Sequence, residues 1–103
     1  MLKAKAEIMF TLEGRNFDVR NRVFQPPFNF GQGLLFTGTI KSKHEAYLCK
    51  QKYEVDIDFF TIEDEAYEVV KPLLKPDMGL TIQEGRRILG IAKLLDYKYE
   101  NGL

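Results

Sequence analysis

Several features that often reveal function are scarce in this 103-residue chain. It has one cysteine, Cys49, so a disulfide within the chain is impossible, which suits a reducing compartment. Tryptophan is absent, and basic and acidic side chains are equal in number, with 15 of each. The resulting formal net charge of zero gives no global field that would draw the chain to nucleic acid or to a membrane.

Long apolar runs are also absent. None approaches the roughly 18 residues of a membrane helix. The first residues, Met-Leu-Lys-Ala-Lys-Ala, include lysines but no apolar stretch long enough for a signal peptide. From these absences we expect a cytoplasmic protein with no membrane partner.

The residue patterns of common catalytic sites are missing as well. The chain has no Gly-x-x-x-x-Gly-Lys-Ser/Thr phosphate loop, so no bound nucleotide is expected. A nucleophilic pair of His44 and Cys49 would need hydrogen-bond reach and a third, orienting group, and nothing in the sequence supports one. One histidine and one cysteine cannot form a zinc site without several carboxylates. We therefore predict a non-catalytic protein that uses no cofactor and no metal.

What the chain does have is alternation. Apolar residues make up 45% of it, as in an ordinary soluble domain, here a single domain over 1–103. They alternate with polar residues, which is typical of half-buried strands, over 4–12, 17–23, 34–40, 53–59, 80–84 and 88–95, with a short strand near 47–49. Turns rich in glycine and proline separate these segments. The pattern predicts an all-β sandwich or small closed barrel, and closure is favoured because it removes exposed edges.

The same alternation predicts which side chains are buried. Most phenylalanines should lie in the core, whereas Phe60 breaks the parity of its strand and should be exposed or lie under a helix. Asp56 and Asp58 alternate with apolar residues, so both are expected to face water.

One segment has helical spacing instead. Thr61-Ile62-Glu63-Asp64 resembles a capping box with Thr61 as the N-cap, and Pro72 limits how far a helix can extend from it. We predict one short inserted helix over about 62–71. Its acids either complement the helix dipole or form a partner-binding acidic face that mimics nucleic acid. They are Glu63, Asp64, Glu65 and Glu68.

The most informative stretch is 82–92, Ile-Gln-Glu-Gly-Arg-Arg-Ile-Leu-Gly-Ile-Ala. It predicts two strands joined by a tight turn at Gly85, with one carboxylate and two guanidinium groups exposed at the tip. Two interpretations stay open. The turn could contact phosphate groups, because the planar fork of arginine donates to their oxygens in pairs. Alternatively it is a solvated tip in which Glu84 pairs with Arg86 or Arg87.

A second basic feature is spread over two strands. Arg15, Arg20 and Arg22 could join Lys3 and Lys5 in a stripe that follows an RNA backbone. The other interpretation is that these charges only protect an exposed sheet face from aggregation.

Four motifs, in order along the chain, resemble the C-terminal (third) domain of elongation factor Tu and related translational GTPases. Gly14-Arg15 is similar to the family's Gly-Gly-Arg-His, and 24–30 to Tyr-Arg-Pro-Gln-Phe-Tyr-Phe. Thr37-Gly38-Thr39-Ile40 matches a Thr-Gly-Thr-hydrophobic strand. The hairpin at 82–90 is similar to Ile-Arg-Glu-Gly-Gly-Arg-Thr-Val-Gly, with glutamine for the first arginine and Arg86 for a glycine. The resemblance implies a stand-alone six- to seven-stranded antiparallel Greek-key barrel, here with the inserted helix and without the GTPase.

The resemblance also implies a ligand surface. In elongation factor Tu this domain contacts the T-stem backbone of aminoacyl-tRNA and packs against partner proteins. The matching positions here are Arg15, Asn16, Gln83, Glu84 and Gly85, and Arg86 and Arg87 add charge beside them. We therefore expect a module that binds tRNA, other RNA or a translation component. The alternative is a protein-interaction module that mimics the elongation factor domain, as an inhibitor, decoy or immunity-type protein would.

Overall fold

A computed structural model describes residues 1–11, 17–18, 24–41 and 44–101, with 17–18 described as backbone only. Nine strands and one α-helix are found in these residues. The strands are β1 (Leu2–Phe10), β2 (Phe17–Asp18), β3 (Pro27–Asn29), β4 (Leu35–Thr37), β5 (Thr39–Lys41), β6 (Ala46–Tyr47), β7 (Lys52–Phe59), β8 (Gly79–Glu84) and β9 (Arg87–Tyr99). The helix, α1 (Asp64–Val70), is followed by a 3₁₀ turn, Lys71–Leu73.

Seven of these strands form one antiparallel sheet in the order β4-β3-β8-β9-β1-β7-β5. The two outermost strands, β4 and β5, are consecutive in the chain and meet at Gly38. The sheet therefore curls round and nearly closes into a barrel. β2 and β6 form a separate two-stranded ribbon. The predicted mainly β architecture with one short helix is confirmed at this level.

Closure at Gly38 depends on the absence of a side chain. A Cβ there would lie 2.7 Å from Ile57 Cγ2, 2.7 Å from Phe59 Cε1 and 2.8 Å from Phe28 Cε2. The Gly38 N–H donates to the carbonyl of Pro26 at 3.1 Å, which extends the β3–β4 pairing to the bend. Strand alternation thus continues through the bend while core side chains fill the space that a side chain at Gly38 would need.

The core fills the barrel from one end to the other. Even-numbered residues of β1 point inward and are buried, as the alternation predicted. Aromatic rings pack together at both ends: Phe59 packs edge-on against Phe28 and Phe30, with ring centroids 5.3 Å and 5.2 Å apart, and at the other end Phe10 and Tyr47 pack in a tilted arrangement with centroids 5.6 Å apart. Such edge-to-face and tilted contacts add to the apolar burial of the rings.

The inserted helix covers one end of the barrel, hereafter the helix end. Tyr67 stacks on Tyr99 with centroids 3.8 Å apart and planes 11° apart. The Tyr99 hydroxyl accepts from the Asp64 N–H at 2.9 Å, and Val70 is fully buried. The last strand therefore runs on to Tyr99, beyond the predicted 88–95, because its end serves as the support for the helix.

The helix starts later than its sequence indicated. The predicted N-cap, Thr61, is wrong: Glu63 is the N-cap, in extended conformation and without a side-chain cap. The reason is that Ile62 is already engaged, since its N–H donates to Phe59 and its carbonyl accepts from Leu2. Asp64 has a positive φ of 46°, which turns the chain into the helix only there.

Candidate functional site

The turn between β8 and β9 forms the other end of the barrel, hereafter the tip end. Glu84 and Arg87 are the last cross-strand pair, so Gly85 and Arg86 are the two turn residues. Gly85 has a φ of +60° and no heavy atom within 4 Å of a Cβ built there. Two-residue hairpin turns of the primed types need a positive φ at the first turn position, which glycine adopts without cost.

Gln83 braces this turn from below. Its amide Nε2 donates to the Gly85 carbonyl at 2.9 Å, and its Oε1 accepts from Thr81 Oγ1 at 2.8 Å and from Asn29 Nδ2 at 3.2 Å. The Asn29 Oδ1 in turn accepts from the Gly31 N–H at 2.8 Å. Both polar atoms of the Gln83 amide thus form hydrogen bonds on the outer face of the sheet, and these bonds hold the turn in position.

Asn29 and Thr81 were not among the sequence-derived candidates. The only available signal was their polar character in alternating strands, which indicates an outward side chain. Nothing local connects Asn29 with Gln83, which lies 54 positions further along the chain.

The charged groups of the turn are exposed. Glu84, Gly85, Arg86 and Arg87 all face solvent. The interpretation in which Glu84 pairs with a neighbouring arginine is not seen, because neither guanidinium forms an ion pair with a carboxylate of the described residues. The turn therefore presents two guanidinium groups whose donors face water.

The other predicted site residues, Arg15 and Asn16, lie outside the described residues, as do Arg20 and Arg22. The nearest described residues before and after Arg15 and Asn16 are Thr11 and Phe17, and both lie at the tip end. The Thr11 N–H donates to Leu89 at 2.9 Å, two positions beyond Arg87. Phe17 pairs with Tyr47, whose ring packs on the Phe10 ring.

Of the residues in the possible basic stripe, the structure describes Lys3 and Lys5, and both lie among carboxylates. Lys3 lies 3.4 Å from Glu100, and Lys5 lies 4.0 Å from Glu54. Both lysines also line an open groove of about 340 Å³ together with acidic side chains, Asp56, Asp58 and Asp96. The barrel wall is therefore a mixed-charge surface here, since β7 and β9 bring carboxylates to both sides of β1.

The expectation that Asp58 faces water is wrong. Only 5% of its side chain is exposed, and its Oδ2 lies 2.6 Å from the Lys41 ammonium group. Asp58 lies between β1 and β5, directly opposite Lys3 and Thr39, and a buried carboxylate needs a cationic partner. Hydrogen bonding and Coulombic attraction to Asp58 raise the pKa of Lys41 above its usual value of 10.5.

This pair predicts a pH dependence of stability. Because the folded pKa of Lys41 lies above its unfolded value, the pair stabilises the fold fully below pH 10.5 and less as the pH rises through the folded pKa. Lys41→Met should therefore lower the urea midpoint, and the difference from the wild type should shrink at about pH 11.5 compared with about pH 8. Adding Asp58→Asn to Lys41→Met should recover part of the loss at pH 8, since the amide needs no cation. A difference independent of pH would contradict the assignment.

No group of three or more histidine, cysteine, aspartate or glutamate side chains in the described ranges is placed to hold a metal ion. His44 packs its ring on Tyr53 at 4.8 Å, and Cys49 is half-buried. Within the same ranges, no helix is long and apolar enough to cross a membrane.

Comparison with known proteins finds no matching family model and no matching curated protein. The kinship with the elongation factor domain remains a prediction based on the four motifs quoted above.

Proposed function

We propose that this chain is a non-catalytic binding module, akin to the C-terminal domain of elongation factor Tu, that contacts the backbone of tRNA or other structured RNA through the turn 84–87. The observation that carries the proposal is the pair of exposed guanidinium groups, Arg86 and Arg87, on a turn braced by Gln83. Arg15 and Asn16 complete the proposed surface by resemblance.

The contrast with the barrel wall supports this assignment. Lysines on the wall, such as Lys41, Lys52 and Lys93, lie within ion-pair distance of carboxylates on neighbouring segments. The two arginines of the turn have no such partner in the described part of the chain, so phosphate oxygens would meet no competing carboxylate. The bracing also matters, because a turn whose backbone is already held in place loses less conformational entropy on binding.

The strand order supports the finer fold proposal. β3 lies beside β4, β5 lies beside β7, and β7 in turn lies beside the first strand, β1. That arrangement is compatible with a Greek-key connection, the topology that the resemblance implies.

The test measures RNA binding against salt concentration. We expect the double variant Arg86→Ala/Arg87→Ala to bind tRNA at least about tenfold more weakly, and to lower the slope of log K against log salt by about 2. The matched control is Lys71→Ala/Lys75→Ala, which removes the same charge from exposed positions at the helix end. It should bind as the wild type does, and equal losses in both variants would reject the turn as the site.

A protein partner is the second candidate, and one observation favours it. Ile88, directly after Arg87, is 44% exposed and adds an apolar contact beside the two charges. Exposed apolar side chains next to arginine are common at protein interfaces. If the arginine pair contributes nothing to RNA binding but is needed to retain a defined protein after nuclease treatment, the mimicry function is the correct one.

A further inference from the structure

The outer surface of β1 and β9 carries exposed apolar groups within a set of charges. Ile91 is 47% exposed and pairs across the strands with Met9. Both residues line an open groove of about 430 Å³ that continues over β8 past Gly79 and Thr81. This surface, named here the β1–β9 face, lies on the barrel wall away from the turn 84–87. Nothing among the described residues covers it.

The register of the two strands makes this face complementary to itself. Met9 is the cross-strand partner of Ile91, and Glu7 is the partner of Lys93. One step further along, Lys5 pairs with Asp96. These three pairs thus join two apolar residues or two opposite charges, whereas the next outward pair toward the helix end, Lys3 with Lys98, joins like charges and marks the limit of the complementary patch.

A two-fold axis that runs between β1 and β9, parallel to the strands, would lay this face on that of a second copy. The axis exchanges β1 with β9, so Glu7 of one copy meets Lys93 of the other, and the reverse contact forms as well. Met9 meets Ile91 in the same way, and Lys5 meets Asp96. Isologous contacts of this kind require a self-complementary patch, which the register provides.

Intrachain ion pairs on this face are weak competitors. Glu7 lies 3.8 Å from Lys52, and Lys93 lies 4.0 Å from Asp77. Both lysines are more than half exposed, at 68% and 52% of their side chains, and ion pairs of this kind contribute little. The groups can therefore exchange partners, and the net charge of zero does not oppose association.

From this complementarity we propose that the β1–β9 face is a homodimer contact, in which Glu7 and Lys93 pair reciprocally around a core of Met9 and Ile91. The contact is narrow: at about 4.8 Å between strands, the four strands β7, β1, β9 and β8 span only about 14 Å between their outer axes. Stable dimers bury about 800 Å² per partner, more than such a strip offers. We therefore expect a dissociation constant in the micromolar range or weaker.

The decisive experiment uses opposite charge reversals in separate chains. In Glu7→Lys both contact positions are positive, and in Lys93→Glu both are negative, so each variant alone should dimerise at least about tenfold more weakly than the wild type. Mixed in equal amounts, they should form a heterodimer with a dissociation constant within about threefold of the wild-type homodimer, because both reciprocal contacts are then attractive. Sedimentation over about 10 µM to 1 mM measures this.

The mixture separates a contact between copies from a change within each chain, since mixing repairs no intrachain pair. Long-range attraction is controlled with Glu68→Lys and Lys75→Glu, which carry the same net charges but change exposed positions at the helix end. That control mixture should form no heterodimer beyond the wild-type level.

A third variant keeps the proposal testable if either charge reversal fails to fold. Ile91→Ala truncates an exposed side chain and should weaken the dimer about tenfold while the urea midpoint of the monomer stays nearly unchanged. A wild-type chain that stays monomeric at 1 mM would overturn the proposal. So would single variants that dimerise as the wild type does, or a mixture that fails to recover dimer.

Discussion

Replacing Phe59 by alanine should lower the free energy of unfolding by about 4 kcal/mol, the largest single effect we expect in this chain. Phe59 is fully buried at the end of β7 and packs edge-on against both Phe28 and Phe30. The change would remove its own burial and leave a cavity lined by two rings that cannot collapse into it. Total stabilities of small domains are about 5–15 kcal/mol, so this loss is a large share of the whole.

The next residue in the chain gives the matched control. Phe60 is 54% exposed, so Phe60→Ala removes the same atoms from a side chain that buries much less surface. We expect a change within about 0.5 kcal/mol. Urea unfolding of both variants, with m-values compared, measures the difference. Similar losses for the two variants would mean that β7 does not face the core in the register described.

Gly90→Ala should have the second largest effect, with a loss of about 3 kcal/mol. A Cβ at Gly90 would lie 2.5 Å from the carbonyl oxygen of Met9 and 2.9 Å from the Phe10 Cα. Both atoms belong to the backbone of β1, which is bonded to β9 on this side and to β7 on the other. Relief would require the two strands to separate, whereas a flexible side chain could simply move aside.

Gly79→Ala serves as its control. Gly79 also lies in a strand next to β9, but no heavy atom lies within 4 Å of a Cβ built there. Its φ is not positive, so alanine fits the backbone and should stabilise the fold by about 0.5 kcal/mol by restricting the unfolded chain. Urea midpoints at a few micromolar protein measure both variants. A Gly90→Ala protein as stable as Gly79→Ala would contradict the described β1–β9 contact.

Strand positions were the most predictable part of this structure. The alternation in 53–59 and 80–84 marks segments close to the observed β7 and β8, because a period of two residues is a local property of an extended chain. The bend at Gly38 was not anticipated: 34–40 was predicted as one strand, and the structure divides it. Only the closure of the barrel, with Phe28 and Phe59 filling the space beside the glycine, requires that division.

The candidate site was also only partly predictable from the sequence. The turn at Gly85 and the exposure of Arg86 and Arg87 follow from turn chemistry and from the cost of burying charge, so the sequence predicted them. The role of Gln83 did not follow. Its resemblance-based assignment is a ligand contact, and the structure adds hydrogen bonds from its amide to Asn29 and Gly85 on the outer face of the sheet.

By itself, then, the sequence determined most of the extended segments, though not β3, and also which of their faces are apolar and where the charged hairpin turns, because each of these depends on residues adjacent in the chain. Tertiary structure alone decided that Asp58 is buried against Lys41, that the helix begins at Asp64, and that Glu7 stands beside Lys93. Strand register between distant segments is set by the packing of the whole barrel. A shift of one residue would reverse every inward and outward side chain, so no local pattern fixes these pairings.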